Sequence, residues 1–84
     1  MAASWDDDAI YHWGQAIAQE FHGKGAQIFL GPDVNVARLA HGGRNFESLS
    51  GEDPYLGGRL GAAAVRGVQD QHVVAVAKHF VLNN

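Results

Sequence analysis

Asp53-Pro54-Tyr55-Leu56-Gly57-Gly58-Arg59-Leu60-Gly61-Ala62-Ala63-Ala64-Val65-Arg66-Gly67-Val68-Gln69-Asp70, with Val73-Val74-Ala75-Val76-Ala77 and then Lys78-His79 behind it, reads as a helix followed by a strand. Asp53 is an N-cap residue and Pro54 suits the first helical position, where its missing N–H costs nothing. Leu56, Leu60, Ala63, Ala64 and Val68 line one side, so the segment predicts a helix ending near Asp70. Gly57, Gly58, Gly61 and Gly67 each cost about 1 kcal/mol relative to Ala in a helix interior. Such a helix depends on tertiary packing. Val73 to Ala77 is a continuous apolar run, the pattern of a strand covered on both faces.

Working upstream, Ala26-Gln27-Ile28-Phe29-Leu30 is short, apolar and closed by the breakers Gly31-Pro32, which predicts a buried strand. Before it, Ile10, Trp13, Ile17 and Phe21 recur at three or four residues over Asp7 to His22, one apolar helical stripe. Asp6, Asp7 and Asp8 offer an N-cap and a favourable charge for that helix's N-terminus. Gly23 is expected as its left-handed C-cap. Trp13 lies on the stripe and is expected in the core. Trp5 precedes the helix, at or near the base of the fold, without an assigned role. Residues 33–52 keep no sustained period, and an irregular connector of that length predicts a functional loop.

The order is helix, strand, long loop, helix, strand: one βαβ unit preceded by a helix, with a right-handed parallel crossover expected. Two parallel strands leave open outer edges. Sheets of this kind belong to doubly wound folds or to eight-stranded barrels of about 250 residues. The expectation is therefore an α/β segment of one of these two classes, with residues 1–84 an internal fragment of a larger domain.

Composition narrows the function. Of 84 residues, 46% are apolar and 18% charged, which suits a globular chain and not a disordered tail. Six Lys and Arg against nine Asp and Glu leave a formal charge of −3, without the basic stripe that nucleic acid binding needs. Cysteine is absent, so a disulfide, a thiolate nucleophile and a Cys-based zinc site are excluded. The run Val73 to Ala77 is far too short to span a membrane. Asp6, Asp7 and Asp8 sit where a signal peptide would carry a positive and then an apolar region. The histidines His12, His22, His41 and His72 show no i, i+4 pair of the helical metal-site type. No metal or cofactor is expected.

In α/β folds, reactive groups lie just past the C-terminal ends of strands. Here those places are the loop Asp33 to Asp53 and the pair Lys78-His79. They bring Arg44, Lys78 and His79 together with the carboxylates Asp33, Glu47 and Glu52. On residue type alone, Lys78-His79 also fits a solvated strand end, and Arg44 with Glu47 a surface ion pair of little energetic weight. Glu47, Glu52 and Asp53 are expected to order the loop and cap the helix.

Three motifs carry a resemblance: Gly42-Gly43-Arg44-Asn45-Phe46-Glu47, Gly51-Glu52-Asp53-Pro54-Tyr55-Leu56, and Ala77-Lys78-His79-Phe80-Val81-Leu82-Asn83-Asn84. With Lys24-Gly25 before the first strand and Gly31-Pro32 and Asn35-Val36-Ala37-Arg38 after it, the chain resembles the N-terminal catalytic domain of glycoside hydrolase family 3, β-glucosidases above all. The resemblance runs over essentially the whole chain. It implies a (β/α)8-type barrel and retaining hydrolysis of terminal β-D-glucosyl residues from β-glucosides or short β-gluco-oligosaccharides. It also implies that Arg44, Lys78 and His79 bind sugar in the glycone subsite.

The family's nucleophile, an aspartate in a Ser-Asp-Trp type motif, has no match here, nor does its acid/base carboxylate. The catalytic set of this chain is thus expected to be empty, its partner to be the remainder of its own barrel, and the isolated chain to be inactive. Family members are often secreted or periplasmic. Phe80 to Asn84 lacks the Pro-Gly-His continuation of the family's N-acetylglucosaminidase branch, which leaves glucosidase or β-xylosidase. A non-catalytic sugar-binding or interaction module is the alternative from another class.

Overall fold

The computed structural model describes residues 1–84. Helix α1 spans Asp7–Gly23, strand β1 Ile28–Phe29, helix α2 Pro54–Gln69 and strand β2 Val74–Ala75, with 3-10 turns at Ala2–Ser4 and Asn45–Glu47. The N-caps explain where the helices begin. Asp6 Oδ1 accepts from the N–H groups of Asp8 and Ala9 at 2.9 and 3.2 Å, and Asp53 Oδ1 from those of Tyr55 and Leu56 at 2.9 and 3.1 Å. Each carboxylate satisfies two donors that a helix start leaves open.

The end of α1 corrects one expectation. Gly23 is still helical, and the left-handed residue is Gly25, at φ 80°. The N–H of Ala26 donates to Phe21 O at 2.9 Å and that of Gly25 to His22 O at 3.1 Å. These two bonds make a Schellman motif, whose C′ position is the one that needs a positive φ.

The strands pair in parallel, Ile28 with Val74 and Phe29 with Ala75. Regular pairing is shorter than the two five-residue apolar runs, because Gly31-Pro32 interrupts it. Proline has no N–H to donate, and the Gly31 N–H turns back to Phe29 O at 2.9 Å. Pairing resumes one step on. Lys78 N–H donates to Pro32 O at 3.0 Å, Val34 N–H donates to Lys78 O at 2.7 Å, and Asp33 bridges both Lys78 and Ser48. The peptides Gly31–Pro32 and Lys78–His79 are cis.

Both helices pack on one face of this pair. Ile10, Leu60, Ala63 and Ala64 form one buried cluster, with Trp13 packed against it as expected. Ala18, Val68 and Val73 form a second, flanked by Phe21, Phe29 and Ala75. Phe29 meets both Trp13 and Phe21 edge to face. Burial on both faces is not found within these residues: Ile28 and Val74, side by side, are each 54% exposed. The helices approach closely because two glycines face the contact. A Cβ on Gly14 would lie 2.6 Å from Ala64 O, and one on Gly67 2.1 Å from Tyr11 O. Asp7 with Arg59 and Tyr11 with Asp70 tie the two helices together at their surface.

Candidate functional site

Beyond the C-terminal ends of the strands, the two loops meet. Arg44 caps the 3-10 turn Asn45–Glu47, which places its guanidinium over the carboxylate three residues on. Arg44 Nε donates to Glu47 Oε1 at 2.7 Å and Nη2 to Glu47 Oε2 at 3.3 Å. Lys78 Nζ donates to the same Oε2 at 3.0 Å. Arg44 Nη2 also lies 3.2 Å from His79 Nε2. Arg44, Lys78 and His79 therefore share one rim, with Glu47 bridging the first two. Glu47 was expected only to order the loop; it also spaces the two cations.

The loop is held by its own polar side chains. Asn45 Nδ2 donates to Leu39 O at 2.7 Å, and a main-chain bond from Leu49 N–H to Asp33 O at 2.9 Å adds to this. The His79 N–H donates to Asn35 Oδ1. Arg38 Nη2 reaches across to Leu82 O and Asn84 Oδ1, joining the loop to the segment after β2. Glu52 is exposed and takes no part in these bonds.

Arg44 and Lys78 together pull the Glu47 carboxyl down to about 2 from its ordinary 4.5. The Arg44 hydrogen bond is the largest cause and the Lys78 bond the next. The rim thus sets the basic side chains of Arg44 and Lys78 beside the carboxyl groups of Glu47 and Asp33. Donor capacity remains. Guanidinium carries five N–H groups and ammonium three. The contacts above leave both Nη1 hydrogens of Arg44 and two of Lys78 without a protein partner. Beside Lys78 and Glu47 a cleft of about 200 Å³ is lined also by Trp13, Phe29, Asp33 and Leu49; Arg44 does not line it.

His79 differs from its two neighbours. Its Nε2 faces Arg44, and its Nδ1 is buried, 3.6 Å from Asp33 Oδ2. Its ring nitrogens point into the protein. Sequence reasoning counted Asp33 among the carboxylates of this end but not its burial beneath His79, and it missed the Asn35 side chain. The available signal was position, since both residues follow the strand-breaking Gly31-Pro32.

Trp5 needs correction as well. It lines one cleft with Asp53 and Tyr55 and another with Leu49, Ser50 and Gly51. It therefore belongs to the end of the fold that carries the long loop. A helix that follows or precedes a parallel strand runs back against it, so helix N-termini lie at the strands' C-terminal end.

The sequence pattern of the glycosyl hydrolase family 3 N-terminal domain matches residues 1–83. The chain belongs to that family. Among curated proteins it is 48% identical over 83 residues to beta-glucosidase B of Emericella nidulans, covering 99% of this chain and 10% of that protein. It is 48% identical over 84 residues to beta-glucosidase 1 of Aspergillus aculeatus, again 99% and 10%.

Among solved structures it is similar to beta-glucosidase 3B from Thermotoga neapolitana in complex with glucose, at TM-score 0.94 and 40% identity, covering 99% of this chain and 12% of that one. DesR, a beta-glucosidase from Streptomyces venezuelae in complex with D-glucose, gives TM-score 0.95 at 34% identity, covering 99% and 10%. These neighbours carry a TIM barrel as their N-terminal domain, and the α/β order of this chain fits it. The chain spans about 10% of the length of the curated relatives it matches.

Proposed function

We propose that this chain is a βαβ segment of a (β/α)8 barrel and supplies part of the glycone subsite of a retaining β-glucosidase. The observation that carries the reading is the convergence of Arg44, Lys78 and His79 on one rim, with free donors on Arg44 and Lys78. A sugar presents hydroxyls that accept such donors, and the planar fork of Arg fixes their direction. The glucose complexes of the Thermotoga and Streptomyces neighbours favour the same ligand class.

Retaining hydrolysis passes through an oxocarbenium-like state, which positive charge beside the anomeric carbon opposes. Arg44 and Lys78 therefore grip hydroxyls on the far side of the ring from C1, and Glu47 offsets part of their charge. His79 serves the subsite by holding Arg44 and by its partly exposed ring. The two carboxyl groups of retaining chemistry, about 5–5.5 Å apart, come from outside these residues. The rest of the barrel is then the partner of this chain.

The test is Lys78→Ala in the intact protein, with glucoside binding compared against deoxy analogues. Binding of the glucoside should fall more than binding of the analogue lacking the contacted hydroxyl. Equal losses for every analogue would contradict the placement. Separately, the 84-residue chain alone should release no nitrophenol from an aryl β-glucoside, and release would overturn the assignment of the reacting carboxylates elsewhere.

A further inference from the structure

Asp33 is the one buried charged residue of the fold, its side chain only 4% exposed. It follows Gly31-Pro32, where the interrupted strand resumes, and its main chain is fixed on two sides by Lys78 and Ser48. One carboxylate oxygen, Oδ1, accepts the Asn35 N–H at 2.9 Å. The other, Oδ2, lies 3.6 Å from the buried Nδ1 of His79, beyond hydrogen-bonding distance, and that nitrogen has no hydrogen-bond partner.

The opposite ring nitrogen settles where the proton sits. Guanidinium only donates, so His79 Nε2, 3.2 Å from Arg44 Nη2, has to accept. A neutral imidazole with Nε2 as acceptor carries its hydrogen on Nδ1, the nitrogen that lies 3.6 Å from Asp33 Oδ2. A carboxylate behind an imidazole fixes both its tautomer and its ring plane, and Asp33 is the carboxyl group placed behind this buried, unpartnered nitrogen. The order Asp33, His79, Arg44 thus runs from a buried carboxyl group to an exposed donor.

We propose that Asp33 is a positioning residue that holds the His79 proton on Nδ1, keeping Nε2 as the acceptor that aims the Arg44 guanidinium and its free Nη1 edge at the ligand. The first half stands on geometry alone; the aim at a sugar rests on the reading of the rim as a glycone subsite.

The test is long-range proton–nitrogen NMR of the intact protein labelled with 15N-histidine, above the pH at which imidazole titrates, with His79 assigned by substitution. Wild type should show a proton on Nδ1 and a bare Nε2. Arg44 is exposed, so Arg44→Ala is expected to fold, and there Asp33 alone should keep the proton on Nδ1. A shift of the proton to Nε2, or a mixture, in either protein overturns the proposal. Asp33→Asn supplies the converse. Its oxygen stays with the Asn35 N–H, its NH2 then faces Nδ1, and the proton should move to Nε2 and break the Arg44 contact; an unmoved proton also overturns the proposal.

Glucose affinity should fall about tenfold in Asp33→Asn, the lower end of what loss of a partner orienting an imidazole does at metal sites. The two readings separate cleanly. A proton on Nδ1 with no response of the rim to glucose removes the sugar and leaves the positioning role. Glucose binding with the proton on Nε2 does the reverse.

Discussion

Glu47 carries the electrostatics of the rim, since one carboxylate takes hydrogen bonds from both Arg44 and Lys78. Its folded carboxyl titrates near 2, below the ordinary 4.5, so the favourable interaction is complete above about pH 4.5 and is lost as pH falls through about 2. Carbon-13 NMR of the Glu47 side-chain carboxyl should show that midpoint near 2. A midpoint near 4.5 would mean that the bridge is not formed in solution. Because the carboxylate also spaces the two cations, Glu47→Gln should lower glucose affinity and leave folding cooperativity intact, which titration calorimetry alongside thermal melting can separate.

This bridge shows what the sequence could and could not convey at the residue scale. Arg44 and Glu47 are three residues apart, and their pairing is visible in the chain. Lys78 lies 31 positions from Glu47, and only the parallel strands bring it there. The His79 ring lies between Asp33 and Arg44, two residues of one distant loop, a placement no local spacing announces.

Among the elements, the helices were legible and their contact was not. Asp6 and Asp53 announce the two starts, and apolar spacing gives the buried faces. Asp53→Ala should cost about 1 kcal/mol of stability, measured by chemical denaturation of the intact protein, because two N–H groups of α2 lose their acceptor. The glycines of α2 look alike in the sequence but do different work. A Cβ at Gly67 would overlap Tyr11 O, whereas one at Gly58 would meet nothing within 4 Å.

Gly67→Ala should therefore destabilise by about 1–3 kcal/mol through overpacking. Gly58→Ala should stabilise by up to about 1 kcal/mol through helix propensity. The same denaturation series reads both, and equal effects would contradict the close approach of α1 and α2. The misplacement of the left-handed cap from Gly25 to Gly23 has a similar origin: two glycines stand two residues apart, and only the Schellman bonds distinguish them.

At the scale of the whole molecule, the two helices cover one face of a two-stranded sheet and leave the other bare. Ile28, Leu30, Val74 and Val76 are all exposed on or beside the strands. Parallel strands with an uncovered apolar face and open edges associate. The 84-residue chain by itself should therefore form oligomers or aggregates at micromolar concentration, seen by sedimentation velocity. A monodisperse monomer with cooperative unfolding would favour an independent module over a barrel segment. The parallel order and the long loop could be inferred from the alternation of elements, which fits a doubly wound sheet as well as a barrel; only the motif resemblance pointed to the barrel. The exposed face could not, because a continuous run such as Val73 to Ala77 signals burial without saying what provides it.

The central claim is that two neighbouring parallel strands bring Arg44 and Lys78 to one rim as ligands for glucose. A crystal structure of the intact protein soaked with glucose tests it most directly. Arg44 Nη1 and Lys78 Nζ should lie within hydrogen-bonding distance of hydroxyls remote from C1, with His79 still seated between Asp33 and Arg44. Glucose bound with neither cation touching it, or with both against the anomeric carbon, would contradict the claim.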